Sequence, residues 1–174
     1  YNPAVALKLP EGETIVPNSI AFDTTPENAM IYVLTGPNRG GKSVITCAVG
    51  LCQVMLQLGM FLPADTCRIS PADGIYTHFP TGADDTIDKG RLGEECARLG
   101  EIFDAVTADS LVLLDESLSS TGSFEASYIA AEVLMGLCRV GCRCLFSTHL
   151  HELAAEIDRI NAQSAAEGGA RVDT

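Results

Sequence analysis

The residues with the clearest chemical potential form a glycine-rich loop, Thr35-Gly36-Pro37-Asn38-Arg39-Gly40-Gly41-Lys42-Ser43. The loop fits the pattern G-x-x-x-x-G-K-[ST], which requires a strand before it and a helix after it. In that setting the glycines let successive backbone N–H groups turn towards phosphate oxygens, and the helix start adds unpaired N–H groups. Lys42 is placed to reach β- and γ-phosphates, and the Ser43 hydroxyl to ligate Mg²⁺. The loop predicts a nucleotide site; the alternative is a glycine-rich turn without a ligand.

The flanking sequence supplies both required elements, which favours the nucleotide site. Met30–Leu34 is an apolar run of strand length, and Val44–Leu56 is an apolar-rich run of helical length that should end near Gly59. Further along, the chain alternates between the two types. Strands are predicted at 74–79, 110–114 and 143–147, and helices at 92–106, 124–139 and 151–160. Such alternation predicts an α/β domain with a mainly parallel sheet flanked by helices.

The two ends of the chain lack this pattern. Ala4–Leu9 and Thr14–Val16 read as strands separated by the turn Pro10-Glu11-Gly12, so a small N-terminal antiparallel β part is expected. Residues 161–174 are rich in Ala, Gly, Gln and Ser and have no periodic apolar face, so they are expected to be disordered or cut from a longer element. The predicted domain therefore spans residues 1–160, followed by a tail.

Composition limits the classes of function. The 174 residues fit one domain, and their formal net charge of −12 would repel DNA phosphate. No apolar run reaches membrane-spanning length, and no signal peptide opens the chain. The first residue is Tyr1, which suggests a domain excised from a longer cytoplasmic protein. The seven cysteines are an odd number without a C-x-x-C pair, so reduced thiols are expected and a zinc site is not.

A second group of candidate residues lies at the predicted strand ends. Asp115 and Glu116 directly follow an apolar strand, where open α/β sheets bind ligands. Asp115 would hold Mg²⁺ through water, and Glu116 would activate an attacking water. A strand-end acid is more often only solvated, but the glycine-rich loop upstream favours a functional role. His149 ends another strand and is a candidate γ-phosphate sensor, whereas His151 is expected on a helix surface and His78 in a structural role.

The order of these motifs, glycine-rich loop, strand-end Asp-Glu and strand-end His, resembles that of the ABC-type ATPase superfamily. The sequences of the motifs are similar to those of one branch, the MutS family. The segments that carry the resemblance are TGPNRGGKS, SLVLLDE, STHLHEL, Gly82-Ala83-Asp84-Asp85, GRLGEE and Tyr1-Asn2-Pro3. They cover the chain from Tyr1 to about Ile160. The chain thus resembles the ATPase domain of a MutS-like DNA mismatch-repair or recombination-control protein.

The resemblance implies a P-loop NTPase that takes ATP and Mg²⁺ at a site shared by two subunits of a homodimer. One subunit would offer Gly36 to Ser43, Asp115, Glu116 and His149. Its partner would offer the signature loop, Ser119-Ser120-Thr121-Gly122-Ser123, with the Ser123 hydroxyl against the γ-phosphate. Ser123 could instead be an N-capping serine. DNA would be bound by domains that this sequence lacks.

Several positions depart from the family pattern. Arg39 stands where the family usually has Met, and Val44 where it has Thr. Arg39 would add a cation beside the phosphates or across the dimer. The family's aromatic adenine platform is missing, and Ile15 or Val16 stands near that position, so aliphatic contacts to the base are expected. The signature loop diverges most, which weakens the contact across the dimer more than nucleotide binding.

Three functions are consistent with these residues. The leading hypothesis is an Mg-dependent ATPase whose ATP-driven dimer closure controls DNA binding by other domains. The divergent signature loop motivates an alternative, a nucleotide-dependent interaction module with little turnover. Another ABC-type ATPase, from chromosome maintenance or transport, is the third hypothesis; no LSGGQ-like signature supports it.

Overall fold

A computed structural model describes residues 1–37, 39–80, 90–118 and 121–174. Within this part of the chain, a sheet contains the strands β1 (Ile31–Leu34), β2 (Ile75–His78), β3 (Leu111–Asp115), β4 (Arg143–Ser147) and β5 (Val172–Asp173). Their order is β2-β3-β4-β1-β5, and every neighbouring pair is parallel. The helices are α1 (Pro3–Ala6), α2 (Lys42–Gln57), α3 (Arg91–Ala105), α4 (Ser123–Val140) and α5 (His151–Ala166).

Side-chain alternation along the strands divides the core into two layers. One face of the sheet carries Val112, Leu114 and Phe146, which pack with buried residues of α3, α4 and α5. The other face carries Leu111, Leu113 and Leu145, and α2 packs there. A Cβ at Gly50 would lie 2.6 Å from Leu113 Cδ1, so glycine at this position permits the close approach of α2 to β3. The mainly parallel sheet flanked by helices is confirmed.

The predicted central elements are also confirmed to within a few residues, except that α5 extends to Ala166. Two glycines in the left-handed region close helices as predicted: Gly59 (φ 69°) follows α2, and Gly141 (φ 77°) caps α4. None of the helices in the described ranges has the length and apolarity needed to cross a bilayer.

The predicted N-terminal antiparallel sheet is wrong. Asn2 caps a one-turn helix, α1, by accepting hydrogen bonds from the N–H groups of Ala4 and Val5, and Pro3 begins the helix. Residues 14–16 form no strand. Among the described residues, pairing in this region is limited to one isolated parallel bridge between Phe22 and Ala29. A capping side chain thus decides the conformation of an apolar run that sequence alternation assigned to a strand.

The C-terminal tail is ordered, which differs from the expectation of disorder. Asn161 in α5 exchanges two hydrogen bonds with the backbone of Val172, at 2.8 and 2.9 Å, and Ser164 donates to Ala170 O at 2.7 Å. Val172 is buried and pairs with Ile31 of β1. Polar side chains of α5, which carry no periodic signal, therefore hold this strand against the helix, and pairing with β1 adds it to the sheet.

Candidate functional site

The candidate residues come together because three strands end side by side. In the order β3-β4-β1, Asp115 ends β3 and Ser147 ends β4, and the register places Ser147 beside both Asp115 and Leu34, the last residue of β1. The chain leaves β1 for β2 at the far edge of the sheet and returns through β3 and β4. Such a change of direction is where open α/β sheets form a ligand crevice at the carboxyl ends of their strands.

The glycine-rich loop joins β1 to α2 and curls around a lysine. Lys42, the first residue of α2, is 9% exposed, and its Nζ donates hydrogen bonds to Gly36 O at 2.9 Å and Pro37 O at 3.1 Å. Gly36 and Gly41 have φ values of 149° and 85°, which glycine adopts without strain. Ser43 follows in the first turn and is half-buried. Asn38 lies outside the described residues.

Two buried hydroxyls connect this loop to β4. Thr46 Oγ1 donates to Lys42 O at 3.0 Å and lies 2.6 Å from Ser147 Oγ; both side chains are fully buried. Because the Thr46 proton goes to the carbonyl, Ser147 donates to Thr46. Sequence analysis missed this pair; the available signal was a hydroxyl in each of two apolar runs.

The acids lie where the sequence predicts. Asp115 is 4% exposed, and its Oδ1 is buried without a hydrogen-bond partner among the described residues. Glu116 is partly exposed and its N–H donates to Ser147 O at 2.8 Å. His149 Nδ1 lies 3.6 Å from Glu116 Oε1, which is beyond hydrogen-bonding distance. Burial, followed by the negative charge of Asp115, raises the pKa of Cys47, so the field of this carboxylate reaches α2.

The other predicted residues are more dispersed. Arg39 is exposed in the left-handed region with φ of 65°, and Val44 is 40% exposed on α2. Ile15 is half-buried and Val16 is 76% exposed, in a segment without helix or strand. Ser123 is exposed at the start of α4.

Three residues had structural roles among the predictions from sequence: Ser123, His151 and His78. The N-cap of α4 is Gly122, and Ser123 is already helical, so the alternative of Ser123 as an N-cap is wrong. His151 is exposed as the first residue of α5, which confirms the surface position. His78 is 2% exposed, and its Nδ1 lies 2.7 Å from Ser117 Oγ, a partner that the sequence did not indicate.

The residues present fit a triphosphate with Mg²⁺. Ser43 and Asp115 offer hydroxyl and carboxylate oxygens, the hard ligands that Mg²⁺ takes in sites where phosphates complete its coordination. A buried carboxylate oxygen without a partner is costly unless it binds something, and Asp115 Oδ1 is such an atom. The described residues contain no group of three His, Cys, Asp or Glu side chains able to hold a metal ion by themselves.

The chain is similar in sequence to known proteins. The family model for MutS domain V matches residues 32–169. The chain is 37% identical over 164 residues to the DNA mismatch repair protein MutS of Salinibacter ruber, which covers 91% of this chain and 18% of that protein. It is 38% identical over 153 residues to Homo sapiens DNA mismatch repair protein Msh6, which covers 83% of this chain and 11% of that protein.

The probable Msh6 of Drosophila melanogaster is 42% identical over 142 residues, covering 80% of this chain and 12% of the relative. The chain thus spans between 11% and 18% of the length of these three curated relatives. The matched region contains the glycine-rich loop, Asp115, Glu116 and His149, the residues that converge at the carboxyl edge of the sheet. From the family model and these relatives it follows that the chain belongs to the MutS family and corresponds to its domain V.

Proposed function

We propose that this chain is the ATP-binding and ATP-hydrolysing part of a MutS-family protein, with the P-loop NTPase fold of the ABC type. One observation carries the proposal: the glycine-rich loop, Asp115, Glu116 and His149 converge from three adjacent parallel strands. The relatives named above are DNA mismatch repair proteins, so the whole protein would act on DNA. Because this chain carries a net charge of −12, DNA contact is assigned to other parts of that protein.

The loop residues bind the triphosphate. The N–H groups of Gly41, Lys42 and Ser43, at the start of α2, would bind phosphate oxygens, and the N-terminus of α2 adds its dipole. Lys42 exchanges its two carbonyl partners for β- and γ-phosphate oxygens, which are better partners because they are charged. Ser43 and, through water, Asp115 would hold Mg²⁺, which when bound neutralises charge on the phosphate oxygens. Arg39 and Val44 flank the phosphates, while Ile15 and Val16 offer aliphatic contact to the base.

Glu116 and His149 serve the reaction itself. Glu116 orients water and takes its proton while the water oxygen bonds to the γ-phosphorus and the bond from that phosphorus to the bridging oxygen breaks, which gives ADP and phosphate. His149, whose Nδ1 lies 3.6 Å from the Glu116 carboxylate, faces the same space and contacts the γ-phosphate. Neither side chain is fully buried, at 37% for His149 and 33% for Glu116, so both are accessible to substrate.

A second copy of the chain completes the site. Ser123 is exposed at the start of α4 and offers its hydroxyl to the γ-phosphate of the partner subunit. The N-terminal end of a helix is a favourable place for such a phosphate contact. ATP binding would then close a homodimer and hydrolysis would reopen it. Ser119 and Ser120 of the signature loop lie outside the described residues.

One feature favours a second candidate, a nucleotide-dependent interaction module with little turnover. Gly122 rather than a hydroxyl-bearing residue occupies the N-cap of α4, so the N-cap position makes no side-chain hydrogen bond to the helix; Thr121 Oγ1 donates to Glu125 at 2.8 Å instead. The two candidates differ in kinetics. Turnover that rises with the square of protein concentration indicates the ATPase with a shared site, and trace activity independent of concentration indicates the module.

The test is light scattering and ATPase assay on the chain with Glu116→Gln, with and without Mg-ATP. The substitution should spare binding and reduce turnover by about 100-fold or more, and the variant should shift from monomer to dimer with Mg-ATP. Glu101→Gln, which changes an exposed carboxylate on α3, is the matched control and should behave as the unmodified chain. A chain that fails to bind Mg-ATP, or a Glu116→Gln variant with undiminished turnover, would contradict the proposal.

A further inference from the structure

The turn after β3 has an unusual backbone. Glu116 and Leu118 both adopt positive φ, at 49° and 66°, although neither is glycine. The left-handed region is unfavourable for such residues because Cβ approaches the following carbonyl oxygen. Residues hold this conformation only when surrounding contacts over-determine it, and such strain clusters at functional sites. The direction of the Glu116 carboxylate therefore depends on what fixes the turn.

Contacts from both sides fix it. On one side, Glu116 N donates to Ser147 O of β4 at 2.8 Å. On the other side, Ser117, which lies between the two positive-φ residues, places its Oγ 2.7 Å from Nδ1 of His78, the last residue of β2. Leu118 is 1% exposed and packs in the core beyond. The turn is thus held by a main-chain bond to one neighbouring strand and a side-chain bond to the other.

The bond between Ser117 and His78 is shielded from water. Ser117 is 4% exposed and His78 is 2% exposed. Burial, followed by the positive charge of Arg98 on α3, lowers the pKa of His78, so the imidazole is neutral near pH 7. Its Nε2 is buried without a hydrogen-bond partner among the described residues, as is Oε2 of Glu95. The contact with Ser117 is therefore the hydrogen bond that holds Nδ1 of the ring.

We propose that His78 is a positioning residue for Glu116, acting through the Ser117 hydroxyl to hold the turn that aims the Glu116 carboxylate. The inference rests on the proposed ATPase function and extends it to a strand, β2, that contributes no residue to the site described above. His78 lies beside Leu114 in the register, at the end of β2, and β3 separates β2 from β4. Its effect should fall on the rate of hydrolysis and spare nucleotide binding, because the glycine-rich loop is elsewhere.

Two substitutions at the same position test the bond. Asn in place of His78 puts a side-chain polar atom near the place of Nδ1, whereas Gln puts it near the place of Nε2. His78→Gln and Ser117→Ala should lower the single-turnover rate about tenfold and leave the Kd for Mg-ATP within about twofold. His78→Asn should retain the rate within about threefold. Ser117→Ala also removes the longer bond from Ser117 Oγ to His78 O at 3.4 Å, so the double variant His78→Gln/Ser117→Ala should lose no more than Ser117→Ala alone.

A readout independent of activity accompanies the kinetics. Amide hydrogen exchange at residues 116–118 should speed up in His78→Gln and Ser117→Ala and stay near the unmodified rate in His78→Asn. The inference is overturned if His78→Asn loses as much rate as His78→Gln, if the losses of the single variants multiply, or if Kd rises with the fall in rate. The inference is also overturned if Ser117→Ala leaves the single-turnover rate and the amide exchange unchanged while Glu116→Gln abolishes turnover. In that case the proposed ATPase function still stands. A chain without any ATP turnover contradicts the proposed function itself.

Discussion

Two loops at the same edge of the sheet reach left-handed backbone conformations in different ways. The loop after β1 does so at Gly36 and Gly41, with Arg39 between them, whereas the turn after β3 does so at Glu116 and Leu118. Glycine adopts positive φ at little cost, but other residues require compensation. The first loop is thus shaped mainly by its own composition, and the second by contacts from neighbouring strands. A loop of the second kind can present a functional side chain at a strained position.

The largest effect on stability is expected at the hydrogen bond between Thr46 and Ser147, which connects the start of α2, directly after the first loop, to β4. Thr46→Val leaves the Ser147 hydroxyl buried without a partner and should lower the free energy of unfolding by about 1–3 kcal/mol. Ser147→Ala should cost less, because Thr46 keeps its bond to Lys42 O. The double variant should cost less than the sum of the two single variants.

Urea unfolding of the four proteins measures these differences. Thr66→Val, at an exposed position, is the matched control and should change the free energy of unfolding by less than about 0.5 kcal/mol. Equal losses in Thr46→Val and Thr66→Val would show that the buried pair does not stabilise the loop.

This contrast also explains how much the sequence could predict. A local sequence signal predicts the glycine-rich loop, the strand-end acids and His149: an apolar run followed by glycines or by charged or polar residues. The structure places these residues after the strands that the apolar runs form. The bond from Thr46 joins residues 101 positions apart, and the bond from Ser117 spans 39 positions. A hydroxyl within an apolar run does not identify its partner, and periodicity reports only local structure, so a single sequence does not reveal which residues pair.

The incorrect predictions have a related cause. The strand expected at Ala4–Leu9 and the disorder expected after residue 160 were both inferred from the presence or absence of apolar periodicity. In the structure, side chains of Asn2 and Asn161 bind backbone groups and decide the local conformation. One amide starts a helix, and the other holds an edge strand against α5. Asn is common in loops for many reasons, so its identity alone does not reveal which backbone groups it will bind.

A smaller change in the free energy of unfolding is expected when a glycine of the first loop is replaced, because the loop backbone there has a positive φ. A Cβ at Gly41 would meet nothing within 4 Å, but φ there is 85°, so Gly41→Ala should lower the free energy of unfolding by about 1–2 kcal/mol. Gly100→Ala is the control: its Cβ also meets nothing, and the residue lies within α3, so Ala should raise stability by about 0.5–1 kcal/mol. Opposite signs in urea unfolding support a conformational origin. If Gly41→Ala proves as stable as the unmodified chain, the glycine is not what shapes this loop.

The smallest effect is a pH dependence carried by the second turn. The pKa of His78 is lowered in the folded chain by burial and then by Arg98, whereas unfolding restores it to about 6.5. As pH falls below about 6.5, the unfolded chain therefore binds the proton first, and His78 makes the fold less stable; above that pH it contributes no such penalty. One proton limits the slope to about 1.4 kcal/mol per pH unit. From pH 7.5 to pH 5.5, the free energy of unfolding should fall more for the unmodified chain than for His78→Asn. His151→Asn serves as the control for loss of an exposed imidazole. An equal fall would mean that folding does not lower the pKa of His78, which contradicts the prediction. A larger fall in His78→Asn would mean that a neighbour such as Glu95 on α3 stabilises the protonated ring, so that an ion pair holds the turn instead of a neutral hydrogen bond.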